Sequence, residues 1–181
     1  MIGDCLISLK FEGEIIVMDT GNTDRTNEIA ASHKAKIIKS AGKDYSQFRN
    51  DGLKAAKSSW ILYVDADERV TPLLKKEIEY IISSDKTKSA YAIPRQNIFL
   101  GKEMHHGGWG NDYVIRLFLK KNLTEWKNPL HEEPVFTGEL GKLQNSLVHF
   151  SHRDLSSMLE KTLGFTNYEA QLKHEANHPL V

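Results

Sequence analysis

Apolar positions in the first half of the chain alternate between short continuous runs and stretches with helical spacing. Cys5, Leu6 and Leu9 mark a short helix over residues 4–11. The run Glu14-Ile15-Ile16-Val17-Met18 predicts a strand ending at Asp19, and Lys36-Ile37-Ile38 predicts a second. Between them Thr20-Gly21-Asn22-Thr23-Asp24 is a loop of turn formers that also suits a helix start, with the helix over about 24–33. Tyr45, Phe48, Leu53 and Ala56 have rough helical spacing over 44–57, and residues 61–64 form the next strand. Val70, Leu73, Leu74, Ile78, Ile81 and Ile82 then mark an amphipathic helix, with Thr71-Pro72 suited to its N-cap and first position. This alternation predicts a mainly parallel sheet with helices on its faces.

After about residue 88 the pattern changes. Residues 90–94, 113–119 and 143–150 read as strands separated by loops rich in Gly, His and Trp. Ser151-His152-Arg153-Asp154 resembles a capping box, and Leu155, Met158, Leu159, Thr162 and Thr166 trace one face of a closing helix. The tail after about Gln171 has weak periodicity and no assignment. A single domain is expected, with residues 1–88 as a nucleotide-binding half and 89–181 as a mixed-sheet half holding a second substrate and the last helix.

The strand at 61–64 runs into Asp65-Ala66-Asp67-Glu68. A buried strand rarely finishes in three acids. Two carboxylates one residue apart can aim at one hard cation, which can hold a diphosphate. The ends of parallel strands are also where open α/β sheets bind ligands. A strand leading into a solvated, acidic helix start would give the same residues.

Composition narrows the choice. Lys plus Arg number 24 and Asp plus Glu number 24, so there is no basic excess to suit nucleic acid. The one cysteine, Cys5, cannot form an internal disulfide, which suits a reducing compartment. No signal-peptide pattern and no apolar run near ~18 residues is present. A cytoplasmic location is expected, with the inner membrane surface as the alternative.

Five motifs occur in a telling order: Ile16-Val-Met-Asp19-Thr-Gly-Asn-Thr-Asp24; Phe48-Arg49-Asn50-Asp-Gly52; Trp60 to Glu68; Gly107-Gly-Trp109 with Asp112 and Arg116-Leu-Phe118; and His131-Glu132-Glu133. With them the chain resembles the inverting family 2 glycosyltransferases of the GT-A fold, a three-layer α/β/α nucleotide-diphospho-sugar transferase architecture. The likeness is nearest to bacterial enzymes that build lipopolysaccharide core and related surface glycans. The resemblance implies a nucleotide-diphosphate sugar donor, with UDP-glucose first and other UDP-hexoses next. It also implies Mg²⁺ or Mn²⁺, and a glycan or lipid-linked acceptor.

The resemblance also implies roles for individual residues. Asp19 would lie near the base, although a turn acid capping the next helix would look the same. Arg49 would lie near the nucleotide or its phosphates, or else be a surface helix arginine. Asp65 would contact the ribose or a metal-bound water, and Asp67 would be the direct metal ligand. Asp112 is the first choice for general base and Glu132 the second. Asp112 follows Asn111 where the family often has Glu, so a loop acid capping its own turn is the competing reading. His105-His106 with His131 and Glu132 could be read as a zinc site, but the pair is adjacent and no cysteine joins it. Trp109 either stacks on a sugar or is a core tryptophan.

Relative to the family, the first apolar strand and a basic amphipathic tail are not seen. An exposed sheet edge would follow, and with it self-association. The competing functions are a non-catalytic remnant that binds a nucleotide or partner chain, and a nucleotidyltransferase on a similar scaffold.

Overall fold

The computed structural model describes residues 1–85, 87–107, 109–129, 131–152 and 154–175. Gly108 of the Gly-Gly-Trp motif, Leu130, and Arg153 of the expected capping box lie outside the described residues, as do 176–181.

The first half follows the predicted order, with helix α1 (Ile2–Ser8), strand β1 (Ile16–Asp19), helix α2 (Thr26–Ser32), strand β2 (Lys36–Lys39), helix α3 (Tyr45–Ala55) and strand β3 (Trp60–Leu62). Asp44 starts α3 because its carboxylate accepts the Gln47 amide at 2.9 Å. Such a cap contributes about 1 kcal/mol. The next element differs from expectation. Val70 is not in a helix but in strand β4 (Glu68–Val70), and helix α4 (Pro72–Ile82) starts only after the Thr71 hydroxyl accepts the Leu74 amide at 3.1 Å. The acid run hides this strand, because Glu68 is buried rather than solvated.

The second half contains more strands than its apolar pattern shows. Strand β5 (Ala90–Phe99) runs on through Pro94, followed by β6 (Lys102–Glu103), β7 (Tyr113–Leu119), β8 (Leu123–Lys127), β9 (Glu133–Phe136), β10 (Leu140–Lys142), β11 (Leu147–His152) and helix α5 (Leu155–Glu175). The expected strand over 143–150 is thus β11 with β10 just before it. Ser151 of the expected capping box lies within β11, and its hydroxyl donates to the Ile98 carbonyl at 3.3 Å.

The main sheet has the order β3-β7-β5-β11-β4, with β10 and β6 also on β5. β5 is parallel to β10 and β11 and antiparallel to β7 and β6. β1 and β2 form a separate parallel pair, and β8 and β9 an antiparallel hairpin. Consecutive residues point to opposite faces of a strand. Leu117, Tyr91 and Ile93 therefore pack with Leu74 and Ile78 of α4, while Phe118 and Ala90 pack with Leu123 and Trp126 on the other side. Each such large buried side chain contributes about 1.5–3 kcal/mol. No helix among the described residues is long and apolar enough to cross a membrane.

Candidate active site

The segment that leads from β3 to β4 delivers Asp65 and Asp67 to a cavity of about 1370 Å³, lined also by Arg49, Arg116, Glu132 and Lys161. Asp65 is held from two sides. Arg49 of α3 reaches its Oδ1 at 3.0 Å, and the Arg116 guanidinium of β7 hydrogen-bonds its Oδ2. Burial acts to raise the Asp65 carboxyl, but the charges of Arg116 and Arg49 outweigh it and keep it below the usual carboxylate range.

Arg49 is placed by α3 and by the neighbouring Asn50. The Asn50 amide donates to the Trp126 carbonyl at 2.9 Å and its oxygen accepts the Trp126 N–H at 2.8 Å, so it pairs with β8 as another strand residue would. The guanidinium of Arg49 then lies 4.9 Å from the centre of the Trp126 ring and 5.7 Å from that of Tyr63. It also binds Glu132, with Nε donating to Oε1 at 2.8 Å.

Asp67 has different company. Its Oδ2 lies 3.2 Å from Lys161 Nζ of α5 and 3.8 Å from His149 Nε2 of β11. Burial would raise this carboxyl, yet the hydrogen bond and charge of His149, then Lys161, hold it down at about 2. A depressed acid stabilises the fold above its unfolded pKa, near 3.8, and that stability is lost as pH falls through the folded value. The unfolding free energy should therefore fall by about 2 kcal/mol more in the native protein than in Asp67→Asn on going from pH 4 to pH 2. Urea denaturation across that range checks this, and equal slopes would contradict it.

Behind these acids lies a charge network. Glu68, fully buried, accepts the Asp65 amide at 2.9 Å through Oε2, while Oε1 lies 3.5 Å from Arg116 NH2 and 3.7 Å from Arg95 NH1. That Oε1 has no hydrogen-bond partner among the described residues. Burial pushes the Glu68 carboxyl up. Arg95 in turn donates Nε to Asp112 Oδ2 at 2.8 Å, and Asn97 donates to the same oxygen at 2.9 Å. The Asn97 oxygen is 2.7 Å from His149 Nδ1, which leads back to Asp67. Acids and cations alternate along this path from Glu132 to Asp112, and Asn97 and His149 connect it to Asp67 and Lys161.

Of the residues singled out in the sequence, Arg49, Asp65, Asp67 and Glu132 come together in the large cavity. Asp112 lies beside a smaller cavity of about 350 Å³ with Trp109, Glu103 and His105. Arg95 and Tyr113 line both cavities. Asp19 is engaged in its own loop: Oδ1 accepts the Gly21 and Asn22 amides at 2.9 and 3.1 Å, and Oδ2 accepts Asn27 at 2.8 Å. The Asn27 bond, then the backbone amides, lower its carboxyl pKa. Met18 and Thr20, rather than Asp19, line the large cavity.

Arg95, Asn97, His149 and Lys161 lie in no motif, and Glu68 closes the Trp60–Glu68 motif with no role of its own assigned. The signal for the first two is polar side chains at alternate positions inside an otherwise apolar strand. As to a metal, among the described residues no three His, Cys, Asp or Glu converge on one point. Asp67 is the carboxylate best suited to a hard cation, because a flexible lysine can leave it more easily than two arginine forks can leave Asp65.

The sequence matches the family model "Glycosyl transferase family 2" over residues 4–158. It is 32% identical over 71% of its length to a TPR repeat-containing protein of Synechococcus elongatus, of which it spans 30%. It is 27% identical over 87% of its length to an uncharacterized glycosyltransferase of Rickettsia typhi, of which it spans 58%. It is 21% identical to the lipopolysaccharide core biosynthesis glycosyltransferase LpsC of Rhizobium meliloti, over 97% of this chain and 67% of that one. The crystal structure of TarS from S. aureus superposes with a TM-score of 0.55 at 15% identity, over 82% of this chain and 34% of TarS, which is a likeness of fold.

Proposed function

The chain belongs to glycosyl transferase family 2, with a GT-A-like fold, and from that premise we propose that it transfers a sugar from a nucleotide-diphosphate donor, a UDP-hexose, to a glycan or lipid-linked acceptor of a bacterial surface polysaccharide. The observation that carries this reading is the pair Asp65 and Asp67 between β3 and β4, facing one large cavity together with Arg49, Arg116 and Lys161. Cations at the rim of an acidic strand end suit a diphosphate, whose oxygens accept from guanidinium and ammonium groups.

In this reading Asp67, beside His149, would hold the divalent ion. The ion, Mg²⁺ or Mn²⁺, when bound supplies charge neutralisation for the leaving diphosphate. Asp65, fixed by two arginines, orients the donor by accepting hydrogen bonds from its ribose. Arg49 and Lys161 bind phosphate oxygens. The acceptor hydroxyl approaches from the side of the smaller cavity, where Trp109 offers an apolar face to a sugar ring. A carboxylate takes its proton as the anomeric carbon is attacked opposite the leaving group, which inverts the configuration.

Two acids compete for that role. Asp112 faces the smaller cavity and is oriented by Arg95 and Asn97. Glu132 faces the larger one and is paired with Arg49. Replacing the true base by its amide should lower kcat by roughly 10²–10⁴-fold with little change in donor affinity. Asp112→Asn is expected to show this loss in a UDP-release assay with a sugar acceptor, and Glu132→Gln to act mainly on donor KM through Arg49. The reverse pattern would make Glu132 the base. Failure of every UDP-hexose to be turned over by the folded protein would favour the non-catalytic, nucleotide-binding reading.

A further inference from the structure

Strands β7, β5 and β11 lie side by side in the main sheet, and Asn97 sits on the middle one. β11 runs parallel to β5 in a register that sets His149 beside Asn97. On the other side β7 runs antiparallel, and the carbonyl of Asp112, just before it, accepts the Arg95 amide at 2.8 Å. Arg95 and Asn97 are two residues apart, so both side chains point to one face of β5. Asn97 is fully buried and lines neither cavity, yet its amide reaches from Asp112 of the smaller cavity to His149 of the larger one.

The two ends of that amide do different things. A carboxylate only accepts, so the Asn97 NH2 faces Asp112 and its oxygen faces His149. The reverse orientation would set a carbonyl oxygen against a carboxylate. The oxygen, 2.7 Å from His149 Nδ1, then calls for the ring proton at Nδ1. In the neutral ring this leaves a lone pair on Nε2, the nitrogen 3.8 Å from Asp67 Oδ2. Left to the field of Asp67, the proton would sit on Nε2 instead. At the other end Asn97 Nδ2 binds Asp112 Oδ2 at 2.9 Å, the same oxygen that takes Arg95 Nε and NH2 at 2.8 Å each. With these contacts all on Oδ2, Oδ1 is the oxygen left to receive a proton.

We propose that Asn97 is a positioning residue for both halves of the site: it holds Asp112 with Oδ1 ready for the acceptor hydroxyl, and it holds His149 with a bare Nε2 turned toward the place of the divalent ion at Asp67. The proposal rests on the roles of Asp67 and Asp112 in the sugar-transfer reading. A side-chain amide carries a donor and an acceptor at fixed spacing. Ionised aspartate has acceptors only, and leucine, of similar size, has neither.

The test compares the native protein with Asn97→Leu and Asn97→Asp, with urea denaturation as the check on folding. Long-range ¹H–¹⁵N spectra of the histidines, in alkaline buffer without ion or nucleotide, show which ring nitrogen carries the proton, and His149→Gln assigns the signal. His149 should carry it on Nδ1 in the native protein and in Asn97→Asp, and on Nε2 in Asn97→Leu. Calorimetry of UDP with Mn²⁺ should show binding weakened by roughly 10–100-fold in Asn97→Leu and by less than about threefold in Asn97→Asp. At saturating donor, UDP release from UDP-glucose should be at least about tenfold slower in Asn97→Leu, since Asp112 has lost one of its two anchors. A proton on Nε2 in the native protein would overturn the proposal. So would equal losses in the two variants that track a loss of folding stability, since Asn97 would then only fill space. Native protein with the proton on Nδ1 but no Mn²⁺-dependent binding of UDP would defeat the sugar-transfer reading while upholding Asn97 as the residue that sets the His149 tautomer.

Discussion

Asp67→Ala should abolish Mn²⁺-dependent binding of UDP, weakening it by roughly 100-fold or more while leaving the fold intact. Two carboxylates follow β3, but only one can take a cation cheaply. Asp65 is clamped by Arg49 and Arg116, so a metal there would first have to break two charged hydrogen bonds. Asp67 faces Lys161, whose side chain is 40% exposed and can return to water at little cost. Loss of Asp67 removes the stabilisation that its depressed pKa represents, about 2 kcal/mol, too little to unfold a typical domain. Titration calorimetry of UDP with and without Mn²⁺, with circular dichroism as the check on folding, reads the outcome. Metal-dependent binding that survives in the variant would remove Asp67 from the site. Wild-type binding that is indifferent to Mn²⁺ would instead make Lys161 the cation opposite the diphosphate.

Arg116→Met should cost about 3–5 kcal/mol of folding stability, since it leaves buried acids without their cation. Arg116 is 6% exposed and lies between Asp65 and Glu68, of which Glu68 is fully buried. Methionine fills most of the space but supplies no charge. A loss of this size is a third or more of the stability of a typical domain. Urea denaturation measures it. Arg116→Lys should rescue only part, because an ammonium cannot fork toward two carboxylates. A loss below about 1 kcal/mol in the methionine variant would mean that Glu68 is neutral and needs no partner.

The acids of the site were legible because they break a pattern. Asp65 and Asp67 interrupt an apolar run, and Glu132 sits beside two other ionisable residues in a loop. Of the groups around them, Arg49 was named from its motif, but Glu68, Arg95, His149 and Lys161 were not. Glu68 reads as the solvated end of an acidic run, yet it is buried because β4 pairs with β11 from almost 80 residues away. Non-local pairing of this kind leaves no trace in local periodicity. Strands β6, β8, β9 and β10 were missed for a different reason: they are short and partly exposed, so alternation has too few residues in which to show. The periodicity of α5 did predict a helix. It did not predict burial, for Leu155, Leu159 and Leu163 on that helix are all more than half exposed. Asp19 was open between a base contact and an acid capping the next helix; it accepts hydrogen bonds from Gly21, Asn22 and the Asn27 side chain, and α2 has no side-chain cap.

The path from Glu132 through Arg49, Asp65, Arg116, Glu68, Arg95, Asp112, Asn97 and His149 to Asp67 has a consequence for inheritance. No member can drift alone. A change at one position alters the field at its two neighbours, so tolerated substitutions come in sets, and the effect of any one depends on the background that carries it. Two descendants of such a protein can each keep a working path while a chimera of their halves fails, because β5 and β7 would bring cations fitted to acids that the other half no longer has.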